Sequence, residues 1–269
     1  MSSVKNIVKV MNFHSLIRVD KAKKKAAKFF EVENDLSKIL AALVNNINLR
    51  LDKKLFIENP NGIVLNVYIG NDMGFCGNFN HSIQSAISQD KDAYKIVIGK
   101  KMSHIKDPKI LLKINKEDFQ NEYAKISEII SEYIKEKKVK EINVISNYYH
   151  SVSDIAFERK RLFPVDINTT NIDASDLNID YVVETDLDNF ISSVMVLCIC
   201  YQIKIYESNS WASENVMRER VTRESLKKIE EIETEQIKQE RKAKKQKAFK
   251  KQISNYRILK GWCRWLIKL

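Results

Sequence analysis

The chain has 269 residues, 44% of them hydrophobic. This composition excludes a disordered protein, and the length predicts one globular domain plus an appended element. Its six glycines and three prolines argue against an all-β fold, which needs many turns, and no run reaches the roughly 18 to 20 apolar residues of a membrane span. The net charge of +11 favours a polyanionic partner, which is nucleic acid, anionic lipid or an acidic protein surface.

The first predicted element is one long helix from Val4 to Leu51, within an N-terminal region 1–60. This stretch contains no proline or glycine, and its second half places apolar residues in alternating steps of three and four. Such a seam predicts packing against a partner helix. The segment from Asn59 to Gly62 then stops the helix. The apolar positions are Val4, Ile7, Met11, Phe29, Val32, Leu36, Leu40, Leu43 and Ile47.

The middle region, 61–208, alternates short β-rich runs with helical patterns. Predicted strands are Ile63–Ile69, Tyr94–Ile98, Glu141–Ser146 and Asp180–Glu184. Predicted helices are Ser82–Ser88, Phe119–Lys135 and Leu187–Tyr206. Alternation of this kind predicts a Rossmann-like α/β domain with a mostly parallel sheet.

A second long helix is predicted from Ala212 to about Tyr256, within the C-terminal region 209–269. Ser210 or Ser213 is a suitable N-cap, and Glu214 falls in the first turn. The apolar stripe of this helix is too narrow for ordinary core packing. We therefore expect the two terminal helices to pair as a long antiparallel coiled coil that flanks one α/β domain.

A basic run lies in the second long helix, directly after a group of glutamates at positions 230, 231, 233 and 235. Like charges four residues apart cost helix stability, so a persistent helix here implies an acidic surface around it. A solvated helix face and a nucleic-acid contact are the alternatives, although no aromatic platform accompanies the cations. The run consists of Arg241, Lys242, Lys244, Lys245, Lys247, Lys250 and Lys251.

The last 14 residues mix large apolar side chains, including Trp262 and Trp265, with cations. A segment of this composition suits an apolar protein sleeve or a membrane surface. An undirected terminus is the third possibility. Exposed tryptophans are an aggregation hazard, and the protein sleeve is therefore preferred.

No constellation of residues predicts chemistry. The segment Asp72 to Asn80 lacks the ending of a phosphate-binding loop, so Gly74, Cys76 and Gly77 are interpreted as a structural turn. We expect no histidine to lie close enough to Cys76 to act as its base, so a catalytic thiol is not predicted. The scattered histidines and the cysteine spacing predict no metal site and no cofactor, and a reduced cytoplasmic setting.

Several short motifs together resemble the γ subunit of F-type ATP synthases. Residues 7–11 followed by Arg18 are similar to the family's Ile-Thr-Lys-Ala-Met pattern with a basic residue seven positions on. Residues 72–80 resemble Asp-Arg-Gly-Leu-Cys-Gly-Gly-Leu-Asn, with Met73 in place of the arginine. Further similarities lie at 98–101, 147–149, 162–164 and 180–184, and the most specific lies at 212–218.

The resemblance implies a non-catalytic central shaft that couples ATP hydrolysis or synthesis to rotation. Its partners would be three α-like and three β-like catalytic subunits, and below the shaft an ε-like subunit, a membrane ring or a specialised adaptor. The resemblance also implies a cytoplasmic protein, peripheral at the inner face of the cell membrane, without nucleic acid and without membrane insertion. Partner-contacting residues would be Lys9, Met11, Arg18, Arg218, the basic run and the two tail tryptophans.

The chain departs from the family where that family shows Tyr-Asn-x-x-Arg-Gln-Ala-x-Ile-Thr. Glu240, Arg241, Lys244, Gln246 and Phe249 lie in the corresponding tract. This divergence favours a specialised F-type-like ATPase over a housekeeping synthase. Two other functions stay open from the residues alone, a nucleic-acid-binding protein with a basic helical arm and a nucleotide-using α/β enzyme.

Overall fold

A computed structural model describes residues 2–45, 58–165 and 186–266. The helices are α1 (Ser2–Asn45), α2 (His81–Gln89), α3 (Phe119–Lys135) and α4 (Leu187–Leu266), with a short 3₁₀ helix at Lys100–Met102. The strands are β1 (Ile63–Ile69), β2 (Tyr94–Ile98), β3 (Ile110–Ile114), β4 (Val139–Tyr149) and β5 (Ile155–Phe163).

The described strands form one five-stranded sheet in the order β3-β2-β1-β4-β5. All neighbours are parallel except β5, which runs antiparallel to β4. Alternate residues of β1 enter different cores, with Val67 in the cluster that includes α3 and α4, and Tyr68 in the cluster that includes α2. Helices therefore cover both faces of the sheet, and the predicted fold class is confirmed.

The larger core joins three helices to one face of the sheet. Buried aliphatic side chains come from the end of α1, from α3 and from the first part of α4, together with the inward-facing residues of β1, β2 and β4. In α4 these positions recur at helical spacing, at Ile191, Met195, Ile199 and Ile203. The sheet thus holds α4 chiefly by non-directional apolar packing.

Most of the predicted strands and helices in the middle of the chain lie where the structure has them. The bounds of β1, β2 and α3 agree with the predictions, and β4 extends further at both ends. Two strands were missed, because β3 is a short apolar run and because charged residues occupy much of the exposed part of β5. The predicted strand Asp180–Glu184 and the predicted end of the first helix lie outside the described residues.

The prediction that a new helix begins near Ala212 is wrong. α4 is one helix of 80 residues, and it runs without a break through the expected boundary between 208 and 209. Ser210 and Ser213, proposed as N-caps, are fully buried within it. The Ser213 hydroxyl donates to the carbonyl of Asn209 at 3.0 Å. Polar residues that resembled a helix start therefore satisfy their hydrogen bonds inside the helix.

α1 and α4 pack antiparallel, in agreement with the sequence prediction. Contact pairs along the two helices run in opposite directions, from Asn12 with Glu219 (3.0 Å to its carbonyl) to Lys25 with Glu207 (3.0 Å). Between them, Ala22 packs in one cluster with Ala212. Small buried residues on both helices permit this close approach: Ser15, Ala22, Ala26, Ser208 and Ala212.

The described chain divides into two compact units, and α1 and α4 contribute to both. One unit holds residues 12–221, with the sheet. The other holds residues 1–11 and those from Thr222 onwards. Within this second unit, Lys5 Nζ lies 2.6 Å from a carboxylate oxygen of Glu233 and 3.7 Å from one of Glu230.

One apolar window of α4 has the length and composition of a membrane span, with a mean hydropathy of 1.4. The sequence predicts no apolar run of this length, because that prediction counts uninterrupted apolar residues and this window also contains polar ones. In the structure 61% of the window is buried within the protein. Packing against the sheet accounts for its apolar character.

A buried ion pair on β2 leads to a first testable prediction. The side chain of Lys95 is fully buried, and its Nζ lies 2.8 Å from Asp107 and 3.1 Å from the carbonyl of Ala93. The Asp107→Asn variant is expected to lose about 2 kcal/mol in the free energy of unfolding, because it leaves a buried ammonium without its counter-ion. Urea denaturation measures this loss, and Asp92→Asn, at a fully exposed carboxylate, is the matched control.

The same pair has a pH dependence of known sign. The hydrogen bond from Lys95 lowers the pKa of Asp107 below its ordinary value of 3.8. A carboxyl group with a lowered folded-state pKa stabilises the protein fully above its unfolded pKa and loses this effect as the pH falls through the folded pKa. Destabilisation by Asp107→Asn should therefore shrink below pH 3.8, and a constant difference would contradict the assignment.

Candidate contact surfaces and a buried charge cluster

The segment from Gly70 to Asn80 connects β1 to α2 as a braced turn. Phe75 and Gly77 adopt left-handed conformations, with φ of 62° and 56°. The side-chain Nδ2 of Asn80 donates to the side-chain Oδ1 of Asn71 at 2.7 Å. The Phe75 side chain at the tip is 59% exposed. Since a phenylalanine rarely adopts positive φ, its surroundings must hold the turn in place.

Asp72 ties this turn to two other segments of the α/β domain. One carboxylate oxygen accepts the backbone N–H groups of Lys100 at 2.6 Å and Lys116 at 3.1 Å. The other oxygen accepts the N–H of Glu117 at 3.0 Å. Hydrogen bonds to a charged acceptor are stronger than neutral ones, so a single side chain fixes the start of the turn.

Lys116, Glu214 and Arg218 form a buried charge cluster between the turn and α4. Their side chains are only 4–5% exposed. The two oxygens of Glu214 contact Arg218 Nη2 at 2.6 Å and Lys116 Nζ at 3.4 Å. Glu214 and Arg218 lie on one face of α4 because they are four residues apart.

Both cations of the charge cluster also reach the turn. Arg218 donates to the carbonyl of Gly74 at 3.2 Å and contacts the sulfur of Cys76 at 3.2 Å. Lys116 Nζ donates to the carbonyl of Gly70 at 3.2 Å. A guanidinium with several fixed donors suits such a multiple contact better than a lysine does.

A cavity of about 280 Å³ lies beside the charge cluster. Its cations are Arg18, Lys25, Lys116 and Arg218, and its carboxylates are Asp72, Glu117, Glu207 and Glu214. The formal charges balance, and Lys25 is paired with Glu207. The cavity therefore offers no excess charge with which to select a nucleotide or another ion.

The three cysteines with described side chains are buried thiols. Burial raises the pKa of Cys76, and it raises the pKa of Cys198 to about 12. The nucleophilic form of cysteine is the thiolate, which a raised pKa disfavours. These residues thus have the character of core side chains rather than of catalytic nucleophiles.

The unit that contains the end of α4 presents a long exposed surface. Every residue from Glu240 to Arg257 is exposed, including the whole basic run. Phe249, Ile253 and Tyr256 recur at steps of four and three with exposures of 62%, 37% and 64%. An apolar stripe beside so many cations suits an enclosing partner that is both apolar and acidic.

The residues of α1 in this same unit add a second apolar surface. Val4, Ile7 and Val10 are each at least 55% exposed. Lys9 is also exposed, and Met11 is half-buried. These two predicted contact residues are thus accessible.

The remaining predicted site residues differ in accessibility. Arg18 is half-buried, with its Nη1 3.8 Å from the sulfur of Met73. Arg218 was predicted to contact a partner, but it is 3% exposed and holds the charge cluster, so we reassign it to a structural role. Trp262 and Trp265 fall within α4, and their side chains lie outside the described residues.

Sequence reasoning missed the charge cluster itself. The spacing of Glu214 and Arg218 on a helix was a signal for an ion pair, although spacing alone does not reveal burial. Lys116 carried no sequence signal, because it reaches the pair only through the fold.

Comparison with known proteins places the chain in a family. A family model described as ATP synthase matches residues 1–255. The ATP synthase gamma chain of Mycoplasma mycoides is 28% identical over 180 residues, which are 61% of this chain and 62% of that one. The match thus spans less than two thirds of that relative. The ATP synthase gamma chain of Mycoplasma capricolum is 26% identical over 213 residues, 74% of each chain.

A solved structure shows the same fold. The match is to the central stalk and c-ring of Tetrahymena thermophila mitochondrial ATP synthase, with a TM-score of 0.54 and 16% identity. It covers 81% of this chain and 99% of that one. With the family model matched almost from end to end, the chain belongs to the ATP synthase family, in which the relatives named above are γ chains.

Proposed function

We propose that this protein is the central rotor shaft of an F-type rotary ATPase. The observation that carries the proposal is α4, which begins in the core of the α/β domain and continues through a segment, residues 240–257, that is exposed on every side. A helix this rich in like charges is poorly stable alone, and an enclosing protein ring would stabilise it. Torque transmission requires a stiff element of this kind and no nucleophile.

In this proposal three α-like and three β-like subunits bind and turn over ATP, and the shaft itself is non-catalytic. The α/β domain passes rotation to an ε-like subunit, a membrane ring or a specialised adaptor. The complex lies in the cytoplasm, peripheral to the inner face of the membrane. Region 1–60 and region 209–269 supply the shaft, and region 61–208 supplies the α/β domain. The divergent basic run supports a specialised F-type-like ATPase.

Purification of the tagged chain from its native cell tests the assembly. Mass spectrometry should find α-like and β-like subunits at about three copies each per shaft. Ion-channel subunits in the same complex would identify a synthase or an ion pump, and their absence a dedicated motor. Recovery of RNA whose binding depends steeply on salt concentration, or recovery of no partner, would contradict the shaft proposal.

Charge reversal tests the role of the basic run. The variant Lys242→Glu, Lys244→Glu, Lys245→Glu, Lys247→Glu is expected to keep ATP turnover in the assembled complex but to lose most of its coupling to rotation. Like charges would then face the acidic elements that we assign to the ring. Single-molecule rotation measured beside ATP hydrolysis gives the coupling ratio.

The matched control reverses four exposed lysines of the α/β domain, Lys91, Lys101, Lys106 and Lys135. It makes the same change in net charge away from the proposed ring contact. Equal loss of coupling in both variants would show that net charge, and not the basic run, is responsible. Unchanged coupling in the first variant would show that the charges of the basic run have no role in coupling ATP turnover to rotation.

A further inference from the structure

We propose that the charge cluster of Lys116, Glu214 and Arg218 is a torsional lock, which fixes the braced turn on α4 in one rotational register. The further claim that this lock transmits torque rests on the proposed shaft function. The lock itself is a property of the isolated chain, so the two ideas can fail separately.

The first attachment of the α/β domain to α4 is apolar. Between Ile191 and Ile203 the helix packs mainly through aliphatic and thiol side chains. Apolar contact is roughly proportional to buried area and has no direction, so it specifies the rotational angle of a helix less sharply than hydrogen bonds between fixed groups do.

The charge cluster adds a second attachment further along the same helix. Met195 and Glu214 are separated by about 30 Å at 1.5 Å per residue. The contacts of this second attachment lie off the axis of α4, at the turn, so they oppose rotation of the domain about the helix.

The hydrogen bonds of the charge cluster cross between the turn and α4 in both directions. Arg218 extends from α4 to the carbonyl of Gly74 and the sulfur of Cys76. Lys116 extends from the α/β domain to Ser210 at 3.3 Å and to Glu214. These bonds are directional, and a change of register would leave buried charges unpaired.

Buried ion clusters add little net stability when compared with well-packed apolar residues, and a fixed register is one of their attested uses. Replacement of all three residues separates the two effects. We expect the variant Lys116→Met, Glu214→Met, Arg218→Met to fold with a melting temperature within a few degrees of the parent chain. It should nevertheless lose the fixed position of the turn.

Two measurements report the lock. In the isolated chain, alkylation of Cys76 should be at least tenfold faster in the triple variant, because Arg218 no longer holds the turn over the thiol. In the assembled complex with the ring immobilised, a bead is attached through an azide-bearing residue introduced at Ser88, on the exposed side of α2, so that no cysteine of the chain competes for the attachment. The variance of its angle should at least double, since this variance is inversely proportional to torsional stiffness.

The control variant Lys91→Met, Glu128→Met, Lys135→Met changes three exposed residues in the same way and should leave both measurements unchanged. Parental Cys76 reactivity and parental angular variance in the triple variant would overturn the lock. If the triple variant does not fold, Arg218→Lys replaces it. This change keeps the charge but loses the guanidinium fork, and parental Cys76 reactivity in it would also overturn the proposal.

Discussion

Replacement of Arg218 by methionine alone is expected to destabilise the folded chain by about 3–5 kcal/mol. The change removes the nearer of the two cations from Glu214, which is 3% exposed, and leaves the carboxylate with Lys116 at 3.4 Å. It also leaves the carbonyl of Gly74 without the guanidinium donor. A single substitution is thus more harmful than removal of the whole charge cluster, because only the single change leaves a buried charge poorly compensated.

Equilibrium urea unfolding, followed by circular dichroism, measures this effect. Arg241→Met is the matched control, since it makes the same chemical change on the same helix at an exposed position. That variant should stay within about 0.5 kcal/mol of the parent. Similar losses in the two variants would mean that burial of Arg218 contributes nothing to the folded state.

The Gly62→Ala variant is expected to lose about 3 kcal/mol, through steric overlap rather than lost charge. A Cβ atom at this position would lie 2.6 Å from the backbone nitrogen of Lys140 and 2.7 Å from the carbonyl oxygen of Lys138. Backbone atoms cannot move aside as a flexible side chain can. The overlap falls at the start of β1, where the carbonyl of Lys138 also accepts the N–H of Ile63 at 2.8 Å.

Gly74→Ala is the control, because a Cβ atom there would meet no atom within 4 Å. Alanine also restricts the unfolded chain, so this variant should be neutral or slightly more stable. Thermal unfolding of the pair of variants measures the difference. Equal melting temperatures would show that the β1 start is free to shift and that the predicted overlap is relieved at little cost.

The α/β domain was largely predictable because its strongest patterns are local. β1 and α3 each combine a suitable length with a regular apolar period, and their bounds follow from the residues alone. β5 lacks such a pattern, since its exposed arginines and lysines interrupt the apolar alternation. Its position depends on pairing with β4, which is not a local property.

The interior of α4 shows why polar sequence is a poor guide to helix ends. The polar tract from Glu207 to Asn215 has the composition of a helix start, and yet it is buried in the middle of the helix. Its side chains bond to helix carbonyls, as from Asn209 to Ile205 at 3.0 Å, or to cations, as between Glu207 and Lys25 at 3.0 Å. Tertiary contacts therefore outweighed the local capping preference. The same contacts moved Arg218 from the predicted surface to the interior.

The apolar window at the start of α4 has a consequence for biosynthesis. All five described strands lie before it in the sequence, between Ile63 and Phe163. Domains fold from the N-terminus as the ribosome makes them. The sheet surface that receives this window has therefore been synthesised before the window leaves the ribosome, so a segment apolar enough for the membrane-insertion machinery meets its own protein first. Moving α4 ahead of the strands by circular permutation would reverse that order and expose the nascent chain to mistargeting.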